Sequence, residues 1–296
     1  MTVYKGIYGY AVRSLSSDPS PLDEGQVWYN NTTYAFKLAA TVTNSWATSA
    51  NLPIARSNGF SFGTRSAAVI GGGDPSFTTS ANYDGSTWTS SGTIPVGRAA
   101  LGGCGTQTAG LMAGGYTGTP GYPPTGINVS LTYNGSSFSN APNINSPSWT
   151  ASCFGTQTAG TYVAGYSGVG SGIQAVENYN GSSWTATGNM NASRGYTSSA
   201  GTQTAGITFF GYRWSTFGQP APTGPQALTE NFDGSTWTST TNTPEGNYNC
   251  GAASNGTQTA SLGFGGSVNT LRTYSFNGSS WTTTGNLLYD ISGAGG

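Results

Sequence analysis

The chain contains no histidine, and only 6% of its 296 residues are charged. Lysine occurs at two positions only, Lys5 and Lys37. Without an imidazole group the chain cannot form a histidine-based catalytic triad, an imidazole base or a histidine-ligated metal site. The formal net charge of −1 also provides no basic surface for nucleic acid or for anionic lipid. We therefore expect no metal, no cofactor and no nucleic-acid partner.

Carboxylates are also sparse, since the chain has only ten acidic residues. Hydrolysis of a glycoside needs two carboxylates that face each other across one cleft. Here Asp84 and Asp233 occupy turn positions, and Glu177, Glu230 and Glu245 are scattered singly. The sequence thus predicts no catalytic residues, and we expect the protein not to be an enzyme.

Cysteine is limited to Cys104, Cys153 and Cys250, an odd number whose spacing fits no zinc pattern. Free cysteines are more often small buried residues than ligands, so we expect all three in the core. Apolar runs of about 18 residues are missing too, and the first residues do not form a signal peptide. We expect no insertion into a membrane.

Two short sequence motifs, called phrases below, recur along the chain. The first, typified by Tyr179-Asn180-Gly181-Ser182-Ser183-Trp184, returns with its glycine at positions 85, 135, 181, 234 and 278, a period of 44 to 53 residues. The second is Gly-Thr-Gln-Thr-Ala, which begins at Gly105, Gly155, Gly201 and Gly256, with a degenerate copy at Gly63. A long and regular period of this kind predicts a repeat architecture.

Each phrase predicts one β-hairpin. Asn-Gly and Asp-Gly favour a type I′ turn, which would make the flanking Tyr and Trp neighbours on opposed strands. Two hairpins per period make a four-stranded antiparallel sheet, and successive sheets make a β-propeller. The arms that precede each Thr-Gln-Thr turn are rich in Gly, Ala, Ser and Cys. We expect these arms innermost, where space at the axis is limited, and the Trp strands outermost.

The predicted number of blades depends on how the strands at the two ends of the chain are assigned. Residues 1–45 predict a strand at 4–10, a loop at 16–22 and a hairpin at 26–38, whereas 46–296 hold the propeller. The repeat that begins at Trp281 stops at the C-terminus. We expect N- and C-terminal strands to share a closing blade, which predicts a propeller of six four-stranded blades. The alternative is five blades with an N-terminal hairpin extension, and residues 1–45 would then serve docking instead of ring closure.

Gly-Gly or Gly-Tyr after the second strand, then Tyr, Trp and an Arg before the next inner strand, resembles the kelch repeat over residues 46 to 290. Arg56, Arg98 and Arg194 each fall ten residues after a tryptophan, whereas Ser148 and Asn247 replace the Arg in two repeats. The resemblance implies a kelch-like β-propeller.

The amino-acid sequence of the repeats also resembles that of repeats in structural proteins of tailed phages, especially marine ones. The segment Gly25 to Thr33 is similar to a hairpin phrase of phage tail and fibre proteins. This resemblance implies a virion protein on the tail, neck or head, made in the host cytoplasm and present in many copies beside other virion proteins.

The two faces of such a propeller differ. One face carries the nearly identical short turns, and the other carries loops that vary from blade to blade. The variable loops of blades two and four are rich in Pro and aromatic residues, which suit a sugar face or a protein partner. Candidate binding residues are Tyr116, Tyr122, Arg213, Trp214 and Phe217.

These features favour attachment to a host-surface glycan or receptor, or to neighbouring virion subunits. Two alternatives stay open. One is a purely architectural decoration protein of the capsid or tail that binds no ligand. The other is a free glycan-binding propeller lectin.

Overall fold

The computed structural model describes residues 13–17, 27–38, 46–118, 125–168, 172–214, 223–253 and 255–292, and every regular element in these ranges is a strand. The chain divides into two compact units, residues 1–45 and 46–296. Within the described ranges no helix is long and apolar enough to span a membrane.

The first unit contains a three-stranded sheet of β1 (Arg13–Leu15), β2 (Val27–Asn30) and β3 (Ala35–Leu38). Strand β1 runs parallel to β2, and β2 pairs antiparallel with β3. Asn30 Oδ1 accepts hydrogen bonds from the N–H groups of Thr32 (3.0 Å) and Thr33 (2.9 Å), which closes the turn. The hairpin predicted at 26–38 is confirmed, and the strand predicted at 4–10 lies outside the described residues.

The second unit is a β-propeller of five blades, each a four-stranded antiparallel sheet. Blade one comprises β4 (Phe60–Thr64), β5 (Ala67–Gly71), β6 (Ser80–Tyr83) and β7 (Trp88–Ser90). Blade two comprises β8 (Gly102–Thr106), β9 (Ala109–Ala113), β10 (Ser130–Tyr133) and β11 (Phe138–Ala141). Blade three comprises β12 (Ser152–Thr156), β13 (Ala159–Val163), β14 (Val176–Tyr179) and β15 (Trp184–Ala186).

Blade four comprises β16 (Ser198–Thr202), β17 (Ala205–Phe209), β20 (Thr229–Phe232) and β21 (Trp237–Ser239). Its long loop adds the short pair β18 (Tyr212–Arg213) and β19 (Gly224–Pro225). Blade five comprises β22 (Gly251–Ala252), β23 (Ser261–Phe264), β24 (Thr273–Phe276) and β25 (Trp281–Thr283).

The prediction of six blades is wrong, and the five-blade alternative agrees with the structure. Strand β25 completes blade five as its outermost strand, so it does not begin a sixth sheet. The last repeat therefore needs no partner strands from residues 1–45. Blade five meets blade one through the indole of Trp46, which packs on Phe264 at 5.2 Å between ring centroids and donates to Thr273 Oγ1 at 2.9 Å. Asn255 Nδ2 also donates to the carbonyl oxygen of Gly63.

The aromatic residues of the first phrase are cross-strand partners in every blade, as the sequence predicts. The pairs are Tyr83 with Trp88, Tyr133 with Phe138, Tyr179 with Trp184, Phe232 with Trp237 and Phe276 with Trp281. Their ring centroids lie 4.5 to 5.0 Å apart. These pairs form much of the apolar packing between the outer strands.

The type I′ turn predicted between these partners is wrong. A type I′ turn needs positive φ at both central residues, but in blade three only Gly181 has it, with φ of 91°. Asn180 instead accepts hydrogen bonds through Oδ1 from the N–H groups of Ser182 and Ser183, both at 2.9 Å. This side-chain cap fixes a longer, asymmetric turn in which Asn or Asp keeps negative φ.

The arms rich in small residues are the innermost strands, as predicted. Strands β4, β8, β12, β16 and β22 stand side by side in neighbouring blades, and each forms one end of its own sheet. Cys104, Cys153 and Cys250 lie on or beside these strands and are buried, which confirms their assignment to the core.

In four of the five blades the residue at the recurrent Arg position binds the carbonyl group that follows the second strand, whereas in blade four Arg194 binds Glu230. Arg98 Nη1 donates to the carbonyl oxygens of Val129 (2.8 Å) and Gly114 (3.4 Å). Where Arg is replaced, the smaller residue makes the same kind of contact: Ser148 Oγ donates to Ala164 O at 3.1 Å, and Asn247 Nδ2 donates to Gly265 O at 2.9 Å. The position is therefore structural in these blades.

Candidate binding site at the mouth of the propeller

The channel of the propeller is surrounded at one end by five residues with left-handed backbone conformation. Each lies two residues before the first residue of an inner strand, and φ is between 53° and 57° in all of them. We call this set the mouth ring: Asn58, Ala100, Thr150, Tyr196 and Asn249. Non-glycine residues rarely adopt this conformation, so its recurrence in every blade marks a specific structural demand.

The mouth-ring residues make a series of backbone hydrogen bonds that runs from blade to blade. The N–H of Ala100 donates to the carbonyl oxygen of Asn58 at 2.7 Å, and the N–H of Thr150 donates to Ala100 at 2.7 Å. The series continues from Tyr196 to Thr150 at 2.9 Å and from Asn249 to Tyr196 at 3.2 Å. These bonds hold the entrances of the five blades in one layer.

A cavity of about 100 Å³ lies inside the mouth ring and is lined by residues of all five inner strands. Its wall consists mainly of Gly, Ala, Ser, Thr and Asn, and among the described residues none that lines it is charged. Each inner strand pairs on one side only, with the second strand of its blade. The other edge of each strand therefore presents backbone N–H and C=O groups toward the channel.

Seven aromatic side chains form a continuous group beside this cavity, which we call the aromatic arc. They are Tyr116, Trp149, Tyr166, Tyr196, Tyr212, Trp214 and Tyr248. Successive ring centroids are 4.9 to 6.0 Å apart. Tyr196 belongs to both the mouth ring and the arc, so the arc reaches the cavity at this one ring.

Two rings of the arc are buried, and the other five are partly exposed. Trp149 and Tyr166 are buried, at 4% and 1% exposure, and the hydroxyl of Tyr166 donates to the carbonyl oxygen of Tyr212. The other five rings are half-buried and keep part of their surface accessible. Aromatic rings that are held by packing and partly exposed are suited to binding because little conformational entropy is lost when they make contact.

The structure brings together only part of the set predicted from the sequence. Tyr116 and Trp214 belong to the arc, and Arg213 lies between Tyr212 and Trp214 in β18 and is half-buried. Tyr122 and Phe217 lie outside the described residues.

Sequence reasoning missed Trp149, Tyr166, Tyr196, Tyr212 and Tyr248. Two signals could have found them. Tyr166 and Tyr212 directly follow a glycine just after the second strand, as Tyr116 does. Trp149 and Tyr248 directly precede a mouth-ring residue, and Tyr196 is itself one. Both kinds of position fall at the same end of an antiparallel blade.

No charged side chain of the described residues lines the cavity. Arg194 is buried below the mouth and binds Glu230 at 2.5 Å, and desolvation lowers the pKa of Arg194. Burial raises the pKa of Tyr116, and the nearby carboxylate of Asp74 adds to this effect. Glu177 accepts the N–H groups of Asn145 (2.8 Å) and Ser146 (2.7 Å), so it anchors a connection between blades. No group of three or more acidic or cysteine residues in the described ranges could hold a metal ion.

The chain matches no protein-family model and no curated protein. Its fold is similar to a solved structure, that of YjhT, with a TM-score of 0.64. The similarity covers 81% of this chain and 86% of YjhT, and the two sequences are 11% identical. At this identity the likeness concerns the propeller fold alone.

Proposed function

We propose that this protein is an attachment module of a tailed-phage particle and that it binds a host-surface glycan at the mouth of the propeller. The observation that carries the binding part is the aromatic arc, a continuous group of seven rings beside an open polar cavity. The virion part is carried by the resemblance of the repeat phrases and of the segment Gly25 to Thr33 to phage structural proteins.

The arrangement is suited to carbohydrate. A pyranose ring has an apolar C–H face and a rim of hydroxyl groups, and the site offers aromatic faces next to neutral hydrogen-bonding groups. Single contacts of this kind are weak. Many copies on one particle convert them into strong adhesion, because each further contact is made at a high effective concentration.

The opposite face has a sufficient structural explanation without a ligand. Gln157 in the Thr-Gln-Thr turn of blade three donates to the carbonyl oxygens of Gly110 (3.0 Å) and Tyr133 (2.9 Å) of blade two. The same contacts recur in the other intact copies of the turn. The uniformity of this face therefore reflects the need to join blades, which leaves the arc as the better candidate for recognition.

The test is binding of the purified chain, displayed on beads, to a glycan array and to host cells. Trp214→Ala should weaken binding at least about tenfold, a loss of roughly 1.4 kcal/mol. Tyr289→Ala is the matched control, since Tyr289 is an aromatic residue that is 70% exposed and stands outside the arc. It should bind like the wild type.

Absence of binding by the multimerised wild type would contradict attachment and favour a decoration protein whose partners are other virion subunits. Binding by protein that immunogold labelling does not find on purified particles would favour a free lectin.

A further inference from the structure

The chemistry of the cavity wall indicates which sugars the mouth accepts, an inference that rests on the proposed function. Along the free edge of a β-strand, N–H donors and C=O acceptors both occur, and five such edges surround the cavity. An anion is best matched by donors alone, and a metal cation by acceptors alone. A hydroxyl group both donates and accepts, so it fits a wall that offers both.

Side chains reinforce this neutral character. The lining residues Thr150 and Ser199 carry buried hydroxyl groups that have no hydrogen-bond partner among the described residues. Both hydroxyl oxygens are buried inside the wall, so they do not face the cavity and add no charge to it. Two buried guanidinium groups each lie two residues before a mouth-ring residue: Arg194 is paired with Glu230, and Arg98 donates to backbone carbonyl groups. Neither lines the cavity. Recognition of a carboxylate-bearing sugar would need an unpaired cation in this wall.

The size of the cavity bears on how a sugar can enter it. A cavity of about 100 Å³ has space for several water-sized groups. That is room for one edge of a sugar with its hydroxyl groups. Tyr196 borders the cavity and continues into the arc, so a sugar that enters by its edge can place a C–H face against these rings.

We propose that the mouth binds the terminal residue of a glycan, and that this residue is a neutral hexopyranose whose hydroxyl-bearing edge enters the cavity. The remainder of the glycan lies across the aromatic arc. Selectivity for neutral over charged sugars follows from the uncharged wall.

The experiment measures binding of the full chain to the methyl glycosides of glucose, galactose and mannose by saturation-transfer NMR. N-acetylneuraminic acid serves as the anionic probe, and glucosamine serves as the cationic one. Ala100→Tyr fills the mouth, and the backbone tolerates Tyr in this conformation because Tyr196 holds the equivalent position. Asn249→Tyr is a second blocking variant if the first does not fold. Thr106→Tyr, at an exposed turn position on the other face, is the control for added bulk.

We expect at least one neutral glycoside to bind, the charged sugars to bind more weakly, and the blocking variant to lose at least about tenfold in affinity. The control should bind like the wild type. Equal binding to the blocked and unblocked proteins would overturn the proposal, as would a preference for a charged sugar.

The same measurements separate this inference from the proposed function. If attachment to cells depends on Trp214 but no neutral glycoside binds, the inference fails and attachment stands. If neither cells nor any sugar is bound, both fail.

Discussion

The side-chain amide of Gln107 in blade two donates a hydrogen bond of 2.7 Å to the carbonyl oxygen of Tyr83 in blade one. The same amide donates to the carbonyl oxygen of Ala68 at 3.0 Å. One glutamine thus holds the second and third strands of the preceding blade, and the contact repeats at Gln157, Gln203 and Gln258. The recurrent Thr-Gln-Thr phrase is therefore a connection between blades as well as a turn.

Replacement of this glutamine should destabilise the propeller. Gln107→Ala removes both hydrogen bonds and leaves two partly buried carbonyl groups without a donor, so we expect a loss of about 1–3 kcal/mol in the free energy of unfolding. Urea denaturation of the purified chain measures it. Thr106→Ala, an exposed change in the same turn, is the control and should shift the midpoint little. Equal shifts in the two variants would refute the structural role of the amide.

The buried ion pair of Arg194 and Glu230 should be sensitive to the loss of one partner. Glu230 also accepts the N–H of Asn191 at 2.7 Å, so Glu230→Gln leaves a buried guanidinium uncompensated and weakens a loop contact. We expect a loss of about 3–5 kcal/mol. The double variant Arg194→Met, Glu230→Leu removes both charges and should recover part of it. A double variant less stable than Glu230→Gln would contradict this account.

Acid should destabilise the two turns that carry aspartate. The N–H groups of Thr87 and Ser86 hold the pKa of Asp84 well below its usual value, and those of Thr236 and Ser235 do the same for Asp233. Because the folded-state pKa lies below the unfolded value of about 3.9, the stabilisation is complete above about pH 5 and is lost as the pH falls below about 4. Thermal unfolding at pH 7 and pH 3 measures this loss.

The repeats themselves supply the control for that experiment. Asn occupies the same turn position at Asn134, Asn180 and Asn277, where it makes the same backbone contacts. The double variant Asp84→Asn, Asp233→Asn should therefore fold normally and lose less stability in acid than the wild type. An identical acid dependence in both proteins would show that other carboxylates control it.

The three thiols should be unreactive in the folded protein. Burial raises the pKa of Cys250 and of Cys153, whose Sγ lies 2.9 Å from that of Cys104, and only the thiolate reacts readily. Ellman's reagent should report no fast-reacting thiol in native buffer and three in denaturant. Rapid reaction under native conditions would contradict the burial of these side chains.

A chain that begins at Trp46 should fold as a propeller, because all five blades are complete without residues 1–45. Removal of Trp46 as well should lower stability by about 1–3 kcal/mol, since its half-buried indole packs on Phe264 and binds Thr273. Circular dichroism and thermal unfolding of the chains 46–296 and 47–296 test both points. Aggregation of 46–296 would show that the first unit is needed for a soluble propeller.

The sequence alone determined what depends on local pattern. The period, the hairpins, the Tyr–Trp partners and the small residues of the inner strands were all predictable, because turn chemistry and side-chain size act within a few residues. The arginine position was also visible from its spacing, although its carbonyl partners were not. The virion role and the absence of catalysis stay predictions, since neither is a matter of local pattern.

Tertiary structure decided the rest. The number of blades depends on whether β25 ends one sheet or opens another, which only the pairing of whole strands settles. Asn and Asp cap the turns through their side chains, an option that competes with the type I′ geometry and that the dipeptide does not distinguish. Rings such as Trp149 and Tyr196 come from different repeats and meet only because successive inner strands converge on one axis. A site assembled in this way has no signature in any single stretch of the chain.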